Sequence, residues 1–216
     1  AQYGKVPGGV ATEDSPFFPV DAYGASKAAA ESYVLLYGRA HGIPVVSVRL
    51  TNTYGPRHQM RHAKFGILNW FVRNAMDGKD LPIYGDGAQT RDFLYIDDAV
   101  DAMVSLALWV RDSRSHPSPS PQGEGMGGGG AGSPVFNLGT GTGVPFKAMA
   151  DKVAALCGVK TVLKPWPDDR KAIETGDFVY DISKIKKVIG WAPGTALDEG
   201  LKKTVEFYEK NKEKYW

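Results

Sequence analysis

Pro19-Val-Asp-Ala-Tyr-Gly-Ala-Ser-Lys27 opens the stretch that decides the fold of this 216-residue chain. It leads into an apolar helix that we predict from about Ser26 to His41. The β-branched run Val45-Val-Ser-Val48 then predicts a buried parallel strand, and a polar loop follows at residues 49–57. A helix, a strand and a polar loop in this order are typical of an α/β crossover.

Tyr23 and Lys27 are four residues apart at the start of this helix, a spacing that places both side chains on one face. A nearby cation favours the phenolate form of a tyrosine, so the pair is a candidate general base. The same spacing recurs at Tyr180/Lys184 and Tyr208/Lys212. We interpret these two as accidental, because only the first pair lies in a turn rich in Pro, Gly and Ser before a long helix. The alternative for the first pair is a surface Tyr and Lys on an amphipathic helix.

Helix and strand patterns continue to the end of the chain. We predict further strands at residues 81–84, 91–96, 135–138 and 161–163. We predict further helices at residues 65–76, 97–109, 146–156, 183–189 and 197–208. This alternation indicates an α/β fold with an incomplete doubly wound parallel sheet and a small C-terminal lobe.

Residues 111–133 combine Ser-Pro repeats with a glycine run and contain too little apolar surface to form a packed core. We predict a disordered, low-complexity insertion. Gly125-Met-Gly-Gly-Gly-Gly130 matches the Gly-x-Gly-x-x-Gly spacing, but it follows no predicted strand and precedes no apolar helix. We therefore do not interpret it as a phosphate-binding loop.

The composition is that of a globular protein, with 43% hydrophobic and 23% charged residues and a net charge of +2. The basic residues are scattered, so we predict no nucleic-acid binding. No apolar run is long enough for a membrane span, and we expect a cytoplasmic location.

The cysteine and the His58/His62 pair predict neither a disulfide nor a metal site. Cys157 is the only cysteine, which excludes an internal disulfide, and we predict a small apolar role for it at the end of a helix. His58 and His62 have no third ligand at a suitable spacing, so we predict loop histidines and no metal site.

Six sequence blocks together resemble the extended short-chain dehydrogenase/reductase family, specifically its NAD-dependent nucleotide-sugar epimerases and dehydratases. The blocks are Tyr23-Gly-Ala-Ser-Lys27, Arg49-Leu-Thr-Asn52, Tyr54-Gly-Pro-Arg57, residues 83–98, Phe136-Asn-Leu-Gly139 and residues 181–193. They occur in the family's order and span nearly the whole chain outside the insertion. The resemblance implies a Rossmann-like sheet, NAD as cofactor and a nucleotide-diphosphate sugar as substrate.

The resemblance also implies roles for individual residues. Tyr23 would take a proton from a sugar hydroxyl as the sugar carbon loses hydride to NAD, giving a transient 4-keto sugar. Lys27 would favour the phenolate and bind the nicotinamide ribose. Leu50 and Thr51 lie where the family contacts the nicotinamide, so the cofactor-binding residues are Tyr23, Lys27, Leu50 and Thr51. The substrate-binding positions are matched by Asn52, Arg91 and Arg170 for the diphosphate, and by Tyr84 for the nucleobase.

Three of these positions have an alternative that the residues alone leave open. Arg91 could be a surface strand residue paired with Asp92 or Asp98. Arg170 could be a solvated loop residue, and Tyr84 could be a core aromatic on a short strand.

The resemblance divides the chain into segments of two domains. Residues 1–57 match the C-terminal part of the NAD-binding Rossmann-like domain, and residues 97–110 and 134–144 return to it. Residues 58–96 are assigned to a substrate lobe, and residues 145–216 form the substrate-binding lobe. The family's N-terminal Gly-rich cofactor fingerprint and its catalytic Ser or Thr are absent from these 216 residues.

Two functions remain open from the sequence. The first is an NAD-dependent epimerase/dehydratase, with epimerase favoured over 4,6-dehydratase. The alternative is a truncated, catalytically inactive remnant that at most binds a nucleotide sugar or a partner subunit. The family forms dimers through the helix that carries the Tyr-Lys pair, so we expect a homodimer in a full-length form and an exposed apolar face on the helix at 26–41.

Overall fold

Helices and strands alternate along the chain in a computed structural model that describes residues 1–62, 66–112 and 134–216. The strands are β1 (Val10–Ala11), β2 (Ser47–Leu50), β3 (Asn52–Tyr54), β4 (Leu81–Tyr84), β5 (Thr90–Arg91), β6 (Phe93–Tyr95), β7 (Val135–Leu138), β8 (Val144–Pro145), β9 (Thr161–Lys164) and β10 (Val179–Tyr180). The helices are α1 (Ala22–His41), α2 (Ile67–Met76), α3 (Ile96–Asp112), α4 (Phe146–Cys157), α5 (Asp168–Ala172), α6 (Ser183–Ile189) and α7 (Leu197–Tyr215). The predicted α/β class is confirmed.

Strand pairing in the described residues is mostly parallel. β2 pairs with β7 in a register that places Ser47 beside Val135 and Leu50 beside Leu138. The pairs β1–β10, β3–β6 and β4–β9 are also parallel, and β5–β8 is antiparallel. The described strands pair as five two-stranded sheets, and each strand is two to four residues long.

Several predicted boundaries need correction. The loop predicted at 49–57 contains β3, and the strand predicted at 91–96 is divided at Asp92 into β5 and β6. α3 continues through residue 112 and so includes the first two residues of the predicted insertion. The predicted disorder of residues 113–133, the glycine run within it and the predicted helical start at Phe65 lie outside the described residues.

α1 begins at Ala22, four residues before the predicted Ser26, because Asp21 caps it. The Asp21 side chain accepts a hydrogen bond from the Gly24 amide at 2.6 Å. The helix ends at Gly42, whose φ of 63° is left-handed and whose amide bonds the carbonyl of Gly38. Residues 23–27 therefore lie inside the first two turns of α1.

Two apolar clusters form most of the core. The larger cluster is built by α2, α4 and α7 around β4 and β6, and it includes Phe71, Ile83 and Tyr208. The second is built by α3 and α6 around β7, and it includes Leu106 and Phe136. No helix in the described ranges is long and apolar enough to cross a bilayer.

α1 is attached to the rest of the protein by a narrow strip of its surface. Its buried residues are Gly24, Glu31 and Gly38, which are seven residues apart and so lie on one face two turns apart. A Cβ atom at Gly38 would lie 2.6 Å from a Val45 methyl, so glycine permits the close approach of helix and strand. Because the other two buried residues are glycines, Glu31 is the only residue of α1 with a buried side chain.

Much of the remaining surface of α1 is exposed and apolar. Its exposed large side chains are Tyr33, Val34, Leu36 and Tyr37, with 73%, 45%, 48% and 64% of their surface accessible. This confirms the predicted exposed apolar face of the helix.

Candidate active site

Tyr23 and Lys27 occupy one face at the N-terminal end of α1. The Lys27 Nζ lies 5.3 Å from the centroid of the Tyr23 ring, as the four-residue spacing predicts. Tyr23 is 54% exposed, and Lys27 is also exposed. The phenol and the ammonium are therefore both accessible to a ligand.

The other two Tyr-x-x-x-Lys matches differ from this pair. Tyr180 and Tyr208 are almost completely buried, in the core clusters. Burial raises the pKa of Tyr208 to about 12 and raises that of Tyr180 as well. Neither phenol is suited to act as a base near neutral pH.

A buried ion pair joins α1 to β2. The Arg49 guanidinium donates to both carboxylate oxygens of Glu31, at 2.9 Å from Nε and 2.6 Å from Nη2. The two side chains are only 2% and 8% exposed. Arg49 also donates to the carbonyl of Glu13 at 2.8 Å and to the hydroxyl of Tyr3. The Glu31–Arg49 ion pair therefore holds α1, the helix that carries Tyr23 and Lys27, in a fixed position against β2.

The direction of α1 places Tyr23 at the same end as the loop after β2. Gly38 packs against Val45 and Glu31 binds Arg49, so α1 runs antiparallel to the strand. Tyr23 lies eight residues, or ~12 Å, along the helix from Glu31, in the direction in which the strand leads to Thr51. The candidate cofactor residues therefore lie at one end of the α1–β2 unit.

Leu50, Thr51 and Asn52 are held by backbone contacts. The Thr51 hydroxyl and the Asn52 side-chain amide donate to the carbonyl of Asp92, at 2.9 and 3.1 Å. The Leu50 carbonyl accepts from the Tyr180 hydroxyl at 3.4 Å, and the Leu50 side chain is 42% exposed. These hydrogen bonds hold the connection between β2 and β3 in place, and the Leu50 side chain is partly exposed.

Asp92 is a fully buried carboxylate that the sequence did not identify as important. It accepts hydrogen bonds from the amide and hydroxyl of Thr140, at 2.8 and 2.7 Å, and longer ones from the amides of Gly141 and Tyr180. A Cβ atom at Gly139 would lie 2.3 Å from its Oδ2. Burial raises the pKa of Asp92, and these hydrogen bonds oppose the shift. Asp92 ties the loop after β7 to the strand that carries Arg91.

The Asp92→Asn variant gives a prediction for the pH dependence of stability. Because the pKa of Asp92 is raised in the folded state, the folded protein binds more protons here than the unfolded chain, whose Asp pKa is about 3.9. The contribution of Asp92 is therefore complete below about pH 4 and is lost as the pH rises through the folded-state pKa. In urea titrations we expect the stability of the wild type relative to Asp92→Asn to fall from about pH 4 to pH 7. A relative stability that rises over this range would contradict the raised pKa.

Arg91 pairs with an acid that the sequence analysis did not consider. Its guanidinium donates to the Glu174 carboxylate at 2.5 Å, to the Gly176 carbonyl at 2.5 Å and to the Thr90 carbonyl at 2.8 Å. The alternative that paired Arg91 with Asp92 or Asp98 is therefore wrong about the partner. The Asp92 carboxylate binds the loop after β7 instead, and the Asp98 carboxylate accepts from Thr195.

Residues 166–176 include Arg170 and contact the substrate-binding candidates Tyr84 and Arg91. Trp166 lies against Tyr84, with ring centroids 5.6 Å apart, and Tyr84 is half-buried at the end of β4. Arg170 is exposed on α5, and its Nε lies 3.8 Å from the carboxylate of Asp169. Residues 166–176 therefore contact Tyr84 at one end and Arg91 at the other, through Glu174. The sequence signal for Trp166 and Glu174 is weak, because neither is part of a local pattern.

His58, His62 and Cys157 lie outside the contacts described above. Burial lowers the pKa of His58, whose amide donates to the Tyr208 hydroxyl, whereas His62 contacts Gln59. Cys157 ends α4 and is half-buried, which raises the pKa of its thiol. Within residues 1–62, 66–112 and 134–216, no group of three or more acidic, His or Cys side chains is placed to hold a metal.

The first half of the chain, residues 1–117, matches the model of the NAD dependent epimerase/dehydratase family. The chain belongs to this family. The match includes α1 with Tyr23 and Lys27, the loop at Leu50–Asn52, and Arg91. The resemblance inferred from the sequence blocks is confirmed.

Curated members of the epimerase/dehydratase family align with almost the whole chain. The dTDP-glucose 4,6-dehydratase of Streptomyces niveus is 31% identical over 212 residues, which cover 97% of this chain and 55% of that protein. The UDP-glucose 4-epimerase of Mycolicibacterium smegmatis is 30% identical and is aligned over 95% of this chain and 58% of its own length. The chain thus spans a little more than half the length of these two relatives.

Solved structures of the same family share the fold. The UDP-glucose 4-epimerase of Thermotoga maritima, solved with UDP-glucose, is 28% identical with a TM-score of 0.76, and 97% of this chain matches 60% of that one. The dTDP-glucose 4,6-dehydratase of Bacillus anthracis, solved with NAD, is 28% identical with a TM-score of 0.72, and 99% of this chain matches 60% of that one. The family's two reactions are thus both represented among the structural neighbours.

Proposed function

We propose that this chain acts in an NAD-dependent epimerase or dehydratase whose substrate is a nucleotide-diphosphate sugar. The observation that carries the proposal is the exposed Tyr23–Lys27 pair on a helix fixed to β2 by the Glu31–Arg49 ion pair. Its relatives include a UDP-glucose 4-epimerase and a dTDP-glucose 4,6-dehydratase. Within residues 1–62, 66–112 and 134–216, no structural feature favours the inactive-remnant alternative.

The residues at the end of the α1–β2 unit fit a nicotinamide nucleotide. Lys27 offers an exposed donor for a ribose hydroxyl, and Leu50 offers an exposed apolar surface beside the fixed hydroxyl of Thr51. When NAD is bound, it supplies the hydride acceptor. We propose that Tyr23, Lys27, Leu50 and Thr51 hold the nicotinamide half of this cofactor.

In the proposed reaction, Tyr23 acts as the general base. Its phenolate oxygen takes the proton of a sugar hydroxyl, and it returns a proton when the carbonyl is reduced again. The Lys27 ammonium lies on the same helical face, 5.3 Å from the centroid of the Tyr23 ring, where it can also donate to a bound ligand. Tyr23 is 54% exposed, so its side chain is accessible to a sugar.

The substrate's nucleotide would lie against the four proposed substrate-binding residues. Arg91, Asn52 and Arg170 are the proposed ligands of the diphosphate, because guanidinium groups and amides suit phosphate oxygens. Tyr84 is the proposed stacking surface for the base. Asn52 and Arg91 are linked through the Asp92 backbone, since Asn52 donates to the carbonyl of the residue that follows Arg91.

The finer assignments are part of the same proposal. We favour epimerisation over 4,6-dehydration, because it needs the base and hydride transfer without a second acid-base pair for water loss. We propose a homodimer through the exposed apolar face of α1 and a cytoplasmic location. We also retain the domain division, with residues 1–57, 97–110 and 134–144 in the cofactor domain and residues 58–96 and 145–216 in the substrate lobe.

Calorimetric titration of the 216-residue chain tests this function directly. With UDP-glucose we expect binding in the micromolar range, which corresponds to about 8 kcal/mol. Titration with NAD in the same buffer tests whether these residues hold the cofactor without the Gly-rich fingerprint. A folded sample that binds neither compound would favour the inactive remnant.

A further inference from the structure

Arg91 is already occupied by groups of its own chain. Its guanidinium contacts the Glu174 carboxylate and the Gly176 carbonyl, and the same Glu174 oxygen accepts from the Gly176 amide at 2.9 Å. The Arg91 and Glu174 side chains are 17% and 24% exposed, so solvent screens their attraction only partly. One Glu174 carboxylate oxygen and the Gly176 carbonyl oxygen thus occupy the two terminal nitrogens of the Arg91 guanidinium, a pair of donors that also suits two phosphate oxygens.

The segment that carries Glu174 is held to the protein by few contacts. α5 (Asp168–Ala172) has no buried residue, and Ile173 is 38% exposed. Gly176 has a φ of 72°, a left-handed conformation that glycine adopts without strain, and a Cβ atom there would meet nothing within 4 Å. Such a segment opens at low cost compared with the buried strands and helices.

Two contacts of this segment cover candidate nucleotide-binding residues. Trp166 lies against Tyr84 at one end, and Glu174 binds Arg91 at the other. Between them Arg170 is exposed to solvent. Release of Glu174 from Arg91 would therefore free the guanidinium and allow the segment bearing Arg170 to move.

We propose that Glu174 is an internal competitor for the substrate diphosphate at Arg91, so that residues 166–176 must release Arg91 before a nucleotide-diphosphate sugar binds fully. This inference rests on the proposed function of Arg91 as a diphosphate ligand. Glu174 then sets the affinity for the substrate, because part of the binding energy is used to displace its carboxylate. A neutral group of the same shape at residue 174 competes less, since a hydrogen bond to an ionised acceptor is roughly twice as strong as a neutral one.

The test is a calorimetric titration of Glu174→Gln with UDP, with uridine as a ligand that lacks phosphate. We expect Glu174→Gln to bind UDP about tenfold more tightly than the wild type, while its affinity for uridine is unchanged. The matched control is Asp168→Asn, which removes the same charge from an exposed position on α5. We expect this control to bind UDP like the wild type.

Arg91→Ala, alone and combined with Glu174→Gln, distinguishes the diphosphate role of Arg91 from the competitor role of Glu174. We expect Arg91→Ala to weaken UDP binding and to abolish the gain from Glu174→Gln, which a double-mutant cycle measures as coupling. If Arg91→Ala weakens binding but Glu174→Gln leaves it unchanged, the competitor role of Glu174 is wrong and the proposed function stands. If Arg91→Ala has no effect, or the wild type, the two single variants and the double variant all fail to bind UDP, the diphosphate role of Arg91 is wrong and so is the competitor role of Glu174.

Discussion

Replacing Tyr23 by Phe is expected to lower the turnover number on a nucleotide sugar by about 10²–10⁴-fold, the usual contribution of a positioned general base. The change removes one hydroxyl from an exposed side chain, so the fold and the neighbouring Lys27 contact should be unaffected. The affinity for NAD is expected to stay within about twofold, because binding of the cofactor depends on several other residues. The measurement is steady-state turnover of UDP-glucose together with an NAD titration.

The matched control for this prediction is Tyr33→Phe. Tyr33 lies on the same helix and is 73% exposed, so the two variants delete the same atom from similar surroundings. We expect Tyr33→Phe to retain wild-type turnover. Equal turnover in Tyr23→Phe and wild type would rule out Tyr23 as the base.

The largest expected effect on stability comes from Arg49→Ala. This change leaves the Glu31 carboxylate buried without its cation, and loss of one partner of a buried pair typically costs about 3–5 kcal/mol. The variant also removes the donor to the Glu13 carbonyl. For a chain of this length we expect the melting temperature to fall by about 10 °C.

Arg49→Ala is also expected to destabilise α1 more than the rest of the protein. α1 has Glu31 as its buried anchor, so hydrogen exchange in α1 should accelerate more than in α4, whose buried side chains lie in the larger apolar cluster. Lys202→Ala serves as the control, because Lys202 and Glu206 form an exposed pair at 3.9 Å and the expected change is below about 0.5 kcal/mol. An Arg49→Ala variant as stable as this control would show that the pair does not hold α1 in place.

The local features of the site follow from the sequence because they depend on short spacings. The four-residue separation of Tyr23 and Lys27 fixes a shared helical face, and the structure shows the ammonium beside the ring. Strand β4 and helix α6 also have the predicted boundaries, since a turn or a glycine bounds each of them. The start of α1 was missed by four residues because the capping side chain of Asp21 was not considered.

The partners of the charged residues could not be predicted in the same way. Glu31 and Arg49 are 18 residues apart, and Arg91 and Glu174 are 83 apart, so no periodic pattern relates them. The division of the strand at Asp92 likewise depends on the amides of residues 140, 141 and 180, which only the fold brings to its carboxylate. Long-range ion pairs and hydrogen bonds are thus the part of the site that sequence reasoning missed.

The sequence by itself determined the α/β class, the family and the position of the Tyr23–Lys27 pair, because repeating patterns and contiguous motifs encode local geometry. Only the tertiary structure decided which carboxylate meets which guanidinium. That outcome depends on burial, since a charge removed from water must find its partner wherever the packed strands and helices place one. Glu31 therefore holds the helix of the proposed base, and Glu174 occupies the arginine proposed for the substrate.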